Sequence, residues 1–214
     1  MSTLRRIRTW SDVDLKRLEQ NCCALERCLD SGIEILRMVS ANAYSFEPIT
    51  NGPVQGICPQ YLAVNKIEDG CSLRSEGVTL PILVLQFPYP DNVVSYVKML
   101  HRNFLAQSID NPRVCRAIAN RTIPAYGGVI CAHIKIQLSE DCEGFKYLNT
   151  DSPIDDLVAA KSNLGLYCEG IYTELSGEES EEKKMAKIKV MNEVADRLEE
   201  VTKKPFSLRH VILK

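Results

Sequence analysis

Apolar residues recur at helical spacing near both ends of this chain and at strand spacing in its middle. Near the amino terminus, steps of three and four predict an amphipathic helix that begins at the Ser11 cap and runs to about Val39. Near the carboxyl terminus the same steps predict a helix that Pro205 ends, and a strand from Phe206 to Leu213 follows it. Strict alternation predicts one half-buried strand from Ile130 to Leu138. The chain must therefore pack helices against strands.

The order of these elements decides the predicted fold class. Further strands are predicted at Tyr61–Ile67, Val78–Phe87 and Leu164–Leu175. Because strands and helices do not alternate regularly, we expect an α+β fold, with a mixed or antiparallel sheet of about five strands and about five helices packed against it. A length of 214 residues favours a single domain, 1–214. The acidic stretch 176–182 is predicted to be a flexible loop.

Composition limits the cellular setting and the partners. The formal net charge of −2 gives the whole surface no attraction to nucleic acid or to anionic membranes. No stretch approaches the roughly 20 apolar residues that span a bilayer, and the basic opening is not followed by a hydrophobic signal core. We therefore expect an intracellular, cytoplasmic protein that is neither secreted nor transmembrane. Its nine cysteines, an odd number, are then expected to be free thiols.

Motifs of catalysis and of cofactor binding are absent. The chain has neither of the glycine-rich phosphate loops and no G-x-S-x-G, so no cofactor and no catalytic residue are predicted. Its cysteines and histidines lack the paired spacing of a zinc site, and no metal is predicted. One alternative remains a cysteine-dependent enzyme with Cys131 as nucleophile and His101 as its base.

Arginines and lysines group in two places and offer a second alternative, a nucleic-acid-binding protein that contacts phosphates. Such contacts are independent of sequence and sensitive to salt. The amino-terminal group could equally meet an anionic membrane surface. The candidate residues for an anionic partner are Arg5, Arg6, Arg8, Lys98, Arg102, Arg113, Arg116 and Arg121.

Self-association is the leading hypothesis, because the carboxyl-terminal helix carries an apolar stripe with charged flanks. It makes the chain a non-catalytic structural protein that assembles with itself and has no evident small-molecule substrate; nucleic acid or nucleoprotein is the other partner considered. The stripe consists of Ile188, Met191, Val194, Leu198 and Val201.

Two short tracts support the same hypothesis. The opening Met1–Ile7 is similar to the basic opening of rhabdovirus matrix proteins, and Asn163–Tyr167 resembles a tract in their carboxyl-terminal half. The chain lacks the lysine-rich arm and the Pro-Pro-x-Tyr motif of that family. The resemblance implies a non-enzymatic viral protein that self-associates, condenses a nucleocapsid and touches membrane.

Overall fold

The computed structural model describes residues 14, 16–17, 20, 34–39, 61–138, 143–147, 154–176 and 178–213. Lys16, Arg17 and Gln20 are helical, and the rest of the predicted first helix up to residue 33 lies outside these residues. Its predicted end is wrong, because Glu34–Val39 forms a strand. No helix in the described part of the chain is long and apolar enough to cross a bilayer.

Strands and helices alternate along most of the described chain. The strands are β1 (Glu34–Val39), β2 (Tyr61–Val64), β3 (Ile82–Val84), β4 (Leu105–Ile109), β5 (Ile130–Gln137), β6 (Phe145–Lys146), β7 (Leu166–Leu175) and β8 (Leu208–Leu213). The helices are α1 (Ile67–Ser75), α2 (Val93–Arg102), α3 (Pro112–Tyr126), α4 (Asp155–Lys161) and α5 (Glu181–Thr202).

Parallel pairing closes the strands into a ring. The hydrogen-bonded order runs β1, β2, β3, β4, β5, β7, β8 and returns to β1, while the two-residue β6 pairs with the end of β5. Every one of these pairs is parallel. All carboxyl ends of the strands therefore lie at one mouth of the barrel, and all amino ends lie at the other.

The predicted α+β sheet of about five mixed or antiparallel strands is wrong, and two elements explain the error. β4 carries Gln107 and Ser108 in its centre, so it shows no apolar run, although both residues are buried. α1 contains Gly70 and few apolar residues, so it shows no amphipathic stripe. With both elements in place, the chain follows the strand–helix alternation of parallel β/α proteins.

The barrel has two cores, one on each side of its strands. Outward side chains such as Ile134, Ile136 and Ile171 pack beneath the helices in the larger core. Inward side chains form a smaller core, in which Ala63, Leu83 and Ala106 pack with Tyr172 and their neighbours. Because both faces of the strands are covered, strands such as β2 and β3 read as continuous apolar runs.

Candidate active site at the carboxyl ends of the strands

A cavity of about 760 Å³ opens at the mouth formed by the carboxyl ends of the strands. In β/α barrels this mouth is where active sites are built, and the volume is in the range that holds a small organic ligand. The polar side chains of its lining come from the ends of five strands or the loops after them. They are Asn65, Gln86, Tyr89, Asp110, Asn111, Lys135, Gln137, Glu143 and Glu174.

A buried ion pair lies in this cavity. Nζ of Lys135 on β5 is 2.9 Å from Oε1 of Glu174 on the neighbouring strand β7. Both side chains are almost fully buried, and charges are tolerated at such depth when they are paired. The pair places one cationic and one anionic titratable group on the inner wall of the barrel.

Asp110 supplies a second carboxyl group, directly after β4. Its Oδ1 accepts a hydrogen bond of 2.7 Å from the side-chain amide of Asn111. Burial raises the pKa of Asp110, and the nearby Glu143 raises it further, while a backbone hydrogen bond and Lys135 act in the opposite direction. A carboxyl group whose pKa is raised is suited to proton transfer nearer to neutral pH.

Below the cavity a column of hydrogen-bonding side chains fills the barrel, and we call it the polar column. Nε2 of His133 lies 3.1 Å from the Tyr61 hydroxyl and 3.2 Å from Oε1 of Glu169. Nδ1 of His133 lies 3.4 Å from Nε2 of His210. The ring of His210 stacks on Tyr172 with centroids 5.1 Å apart. The column consists of Tyr61, Ser108, His133, Glu169, Tyr172 and His210.

A β-bulge creates the space for this column. Between β5 and β7 the register shifts, because Ala132 pairs with Cys168 while His133 pairs with Gly170, so Glu169 is the extra residue. A Cβ on Gly170 would lie 2.5 Å from Nδ1 of His133. Only a glycine leaves room for the imidazole ring at this position.

The protonation states of the column follow from its surroundings. Burial lowers the pKa of both His133 and His210, so the two rings are neutral near pH 7. Burial alone would raise the pKa of Glu169, but hydrogen bonds from His133 and Tyr61 outweigh it and lower that pKa. The column therefore carries one negative charge, on Glu169, near the amino-end mouth.

Cys131 lies beside Glu169 in a cavity at the opposite, amino-end mouth. Burial raises the pKa of its thiol to about 11, and the charge of Glu169 adds to the effect. A nucleophilic cysteine needs a lowered pKa, because the thiolate is the reactive form. The predicted base His101 lines the same cavity, but the raised pKa of the thiol argues against Cys131 as a nucleophile.

The predicted residues for an anionic partner divide into two groups. Arg5, Arg6 and Arg8 lie outside the described residues. The others are exposed on the outer helices, Lys98 and Arg102 on α2 and Arg113, Arg116 and Arg121 on α3. The guanidinium of Arg113 lies over the ring of Tyr89, with 4.8 Å between its central carbon and the ring centroid. The binding of an anionic partner by these residues stays a prediction.

The apolar stripe of α5 packs largely within its own barrel. Met191, Val194 and Leu198 are buried against the outer face of the strands. Ile188 is half-buried, and Val201 is 54% exposed. The sequence shows the stripe correctly but cannot show which surface it packs on.

The cavity residues were missed because the sequence offers no motif for them. Lys135 and Glu174 are 39 residues apart, and only the barrel brings β5 and β7 side by side. The one available signal was Lys135, which lies on the strand with the clearest alternation. The alternation placed it on a partly polar face of that strand. Within the described residues no group of three or more histidine, cysteine or acidic side chains is placed to hold a metal ion.

A ring of parallel strands covered by helices, with a polar cavity at the carboxyl ends, defines a parallel β/α barrel. Sequence comparison gives the family. The profile described as "Alanine racemase, N-terminal domain" matches residues 13–211, and the chain belongs to this family.

Curated relatives and solved structures agree with the family. The amino-acid racemase of Enterococcus faecalis is 30% identical over 84% of this chain and 24% of its own length. The alanine racemase of Desulforamulus reducens is 25% identical over 94% of this chain and 53% of its own length. The alanine racemase structure of Clostridium difficile 630 superposes with a TM-score of 0.73 at 23% identity, covering 91% of this chain and 52% of that one. The chain thus spans about half the length, or less, of these relatives.

These findings correct the sequence-based function. The resemblance to rhabdovirus matrix proteins is wrong, and so is the hypothesis of a non-catalytic structural viral protein, because the matched relatives are racemases. The expectation that no small-molecule substrate is involved is also wrong, since these relatives are named for amino-acid substrates. The tract Asn163–Tyr167 is the turn into β7, in which Oδ1 of Asn163 accepts from the amide of Gly165.

Proposed function

We propose that this chain is an enzyme of the amino-acid racemase class that acts on an amino acid at the carboxyl-end mouth of its barrel. The polar lining of the cavity is the observation that carries the proposal. Asp110, Glu143 and Glu174 supply carboxylates for the ammonium group of an amino acid. Lys135 and the side-chain amides of the lining supply donors for its carboxylate.

Racemisation requires that a proton leaves Cα and that a proton returns on the opposite face. Side chains perform such transfers when they lie within hydrogen-bond reach of the reacting carbon. Lys135 and Glu174 form a proton donor and acceptor pair on one wall of the barrel, and we assign to this pair the proton transfer on the face of Cα that meets this wall. The family relationship supports this reaction class, and the polar lining of the cavity supports this location.

The test is hydrogen exchange at Cα. The purified chain is incubated in D2O with L-alanine and a panel of other amino acids, and deuterium at Cα and the fraction of D-enantiomer are measured. Racemase activity incorporates deuterium into both enantiomers. If no amino acid exchanges, the proposed function is wrong.

Variants locate the activity. Removing one member of the pair leaves a buried charge and costs about 3–5 kcal/mol, so the informative variant replaces both, Lys135→Met with Glu174→Met. We expect this variant to fold and to lose racemisation. Lys146→Met is the matched control, because Lys146 is exposed on β6, and it should exchange as the wild type does. Racemisation that survives in the double variant would refute the assignment to this pair.

Self-association of the chain remains a finer proposal that concerns α5. With Leu198 fully buried, Leu198→Asp should unfold the barrel instead of dissociating an oligomer. Val201 is the exposed member of the stripe, and Val201→Asp tests the proposal without loss of the core. A wild-type sedimentation coefficient that falls in Val201→Asp supports assembly through α5, and an unchanged one contradicts it.

A further inference from the structure

Racemisation of an amino acid leaves a carbanion at Cα, and pyridoxal phosphate is the cofactor that commonly stabilises such an intermediate as an electron sink. The cofactor imposes two requirements on a protein. A lysine must be available for a Schiff base, and a cluster of donors or positive charge must hold the phosphate. Both requirements can be tested on the residues of this chain.

Few lysines are placed for a Schiff base. Every lysine except Lys214 is among the described residues, and only Lys135 and Lys146 lie on strands. Lys146 is exposed on the short β6. Lys66, in the loop after β2, is exposed too and lines a smaller neighbouring cavity together with the carboxylates of Glu68 and Asp69. Lys135 is held by Glu174 at 2.9 Å. The undescribed connections 40–60, 139–142 and 148–153 contain no lysine and no arginine in their sequence.

The helix amino termini do not suit a phosphate either. In a β/α barrel they lie on the side of the carboxyl-end mouth, where their free amides would bind an anion. Here two of them are occupied by caps, since Asn92 accepts from the amide of Ser95 and Asn111 accepts from those of Arg113 and Val114.

The other described helices carry acidic side chains in their first turns, which disfavour the binding of an anion there. Carboxylates there interact favourably with the helix dipole but repel a second anion. These residues are Glu68 and Asp69 on α1, Asp155 and Asp156 on α4, and Glu181 and Glu182 on α5.

The charge of the cavity also disfavours the binding of a phosphate. Its described lining carries the carboxylates of Asp110, Glu143 and Glu174 against the single ammonium of Lys135. A phosphate brought into this lining would meet more negative than positive charge. The described residues therefore do not fit pyridoxal phosphate.

We infer that this member of the racemase family does not hold pyridoxal phosphate as a Schiff base, and that its mouth is built for the cationic end of its ligand. The inference rests on the proposed function for the location of the site. It separates this chain from any family member whose mouth offers an unpaired lysine and a phosphate site.

The experiment is reductive trapping. The chain is incubated with equimolar pyridoxal phosphate, reduced with borohydride, and examined by intact mass and peptide mapping, while the visible absorption of a Schiff base is followed before reduction. The alanine racemase of Bacillus subtilis treated in the same way is the comparison protein. We expect only the low, distributed labelling that Lys98 and other exposed lysines give.

The outcomes separate this inference from the proposed function. Stoichiometric labelling of Lys66, Lys135 or Lys214 overturns the inference and leaves the racemase proposal standing. Cα exchange without stoichiometric labelling supports both. An absence of both exchange and labelling supports the inference and refutes the proposed function.

Glu174→Gln tests the cause. If the ion pair is what withholds Lys135, this variant should gain labelling at Lys135 over the wild type, with a Schiff-base absorption band. If the variant gains none while it remains folded by circular dichroism, the ion pair is not the obstacle, and that part of the argument is wrong.

Discussion

Lys161 should make the barrel less stable at neutral pH than a methionine would in the same place. It lies in the last turn of α4, only 2% exposed, and its Nζ has no hydrogen-bond partner. The ammonium instead lies over the ring of Phe206, 2.8 Å from the centroid. Burial lowers the pKa of Lys161 from 10.5 to about 8.

The magnitude follows from that pKa. Each pH unit between the folded and unfolded pKa corresponds to about 1.4 kcal/mol, so the buried ammonium costs about 3 kcal/mol. The attraction between the ammonium and the Phe206 ring offsets about 2 kcal/mol of this cost, because the site is desolvated. Because methionine keeps the apolar stem and removes the charge, Lys161→Met should raise the free energy of unfolding by about 1 kcal/mol near pH 7.

The pH dependence gives a second test of the same reasoning. A folded pKa below the unfolded one means that the unfolded state binds more protons between about pH 8 and 10.5. The stability of the wild type should therefore rise through this window relative to Lys161→Met, and the advantage of the variant should shrink. Urea denaturation of both proteins at several pH values measures the difference.

Lys189→Met is the matched control, because its side chain is 80% exposed and lies 4.0 Å from Glu193. Its effect should stay within about 0.5 kcal/mol at every pH. The reasoning fails if Lys161→Met is clearly less stable than the wild type near pH 7, or if the difference between them does not change with pH.

Three further predictions concern the polar column and the thiols. Gly170→Ala should lower the free energy of unfolding by about 1–3 kcal/mol, because the new methyl group displaces the His133 ring. Gly128→Ala should be close to neutral, since its Cβ would meet nothing closer than 4.0 Å. Equal melting temperatures for the two variants would contradict the steric argument. The folded pKa values of His133 and His210 lie below the ordinary 6.5. The stability that they contribute should therefore be full above about pH 6.5 and fall as the pH drops below it. A urea midpoint that does not change from pH 7 to 5 would show that these rings are not buried in the neutral form. Thiol titration of denatured, unreduced protein should find most of the nine cysteines free, as the four described cysteines are; several disulfides would refute this.

Long elements with strong periodicity could be predicted from the sequence. The strand near Ile130–Leu138 and the helix that ends before Pro205 are both confirmed. Each has an apolar pattern that its own residues specify. The predicted strand Val78–Phe87 was too long, since only Ile82–Val84 is paired, because apolar residues beside a buried strand read like the strand itself.

The barrel and its site could not be predicted, because their signals lie in polar residues buried inside the ring or between its strands and the outer helices. Gln107 in β4 is fully buried, where its amide donates to the carbonyl of Val84 and its oxygen accepts from Tyr96. His133, Lys135 and Glu174 appear in the sequence as the polar positions of strands. Polar residues in a strand indicate a solvent-facing side unless the ring that covers them is already known.

The pairing of β1 with β8 sets a condition on how the barrel folds. Glu34 pairs with His210, so the contact that completes the ring joins strands that lie at opposite ends of the described chain. Contacts of such long sequence separation form slowly, because a large loop must be closed before they contribute any stability. During synthesis β1 has no β8 to pair with until β8 has left the ribosome, and its unpaired edge is open until then to the strands of other chains. The yield on expression should therefore depend on how well the edge of β1 is protected from other chains until β8 pairs with it.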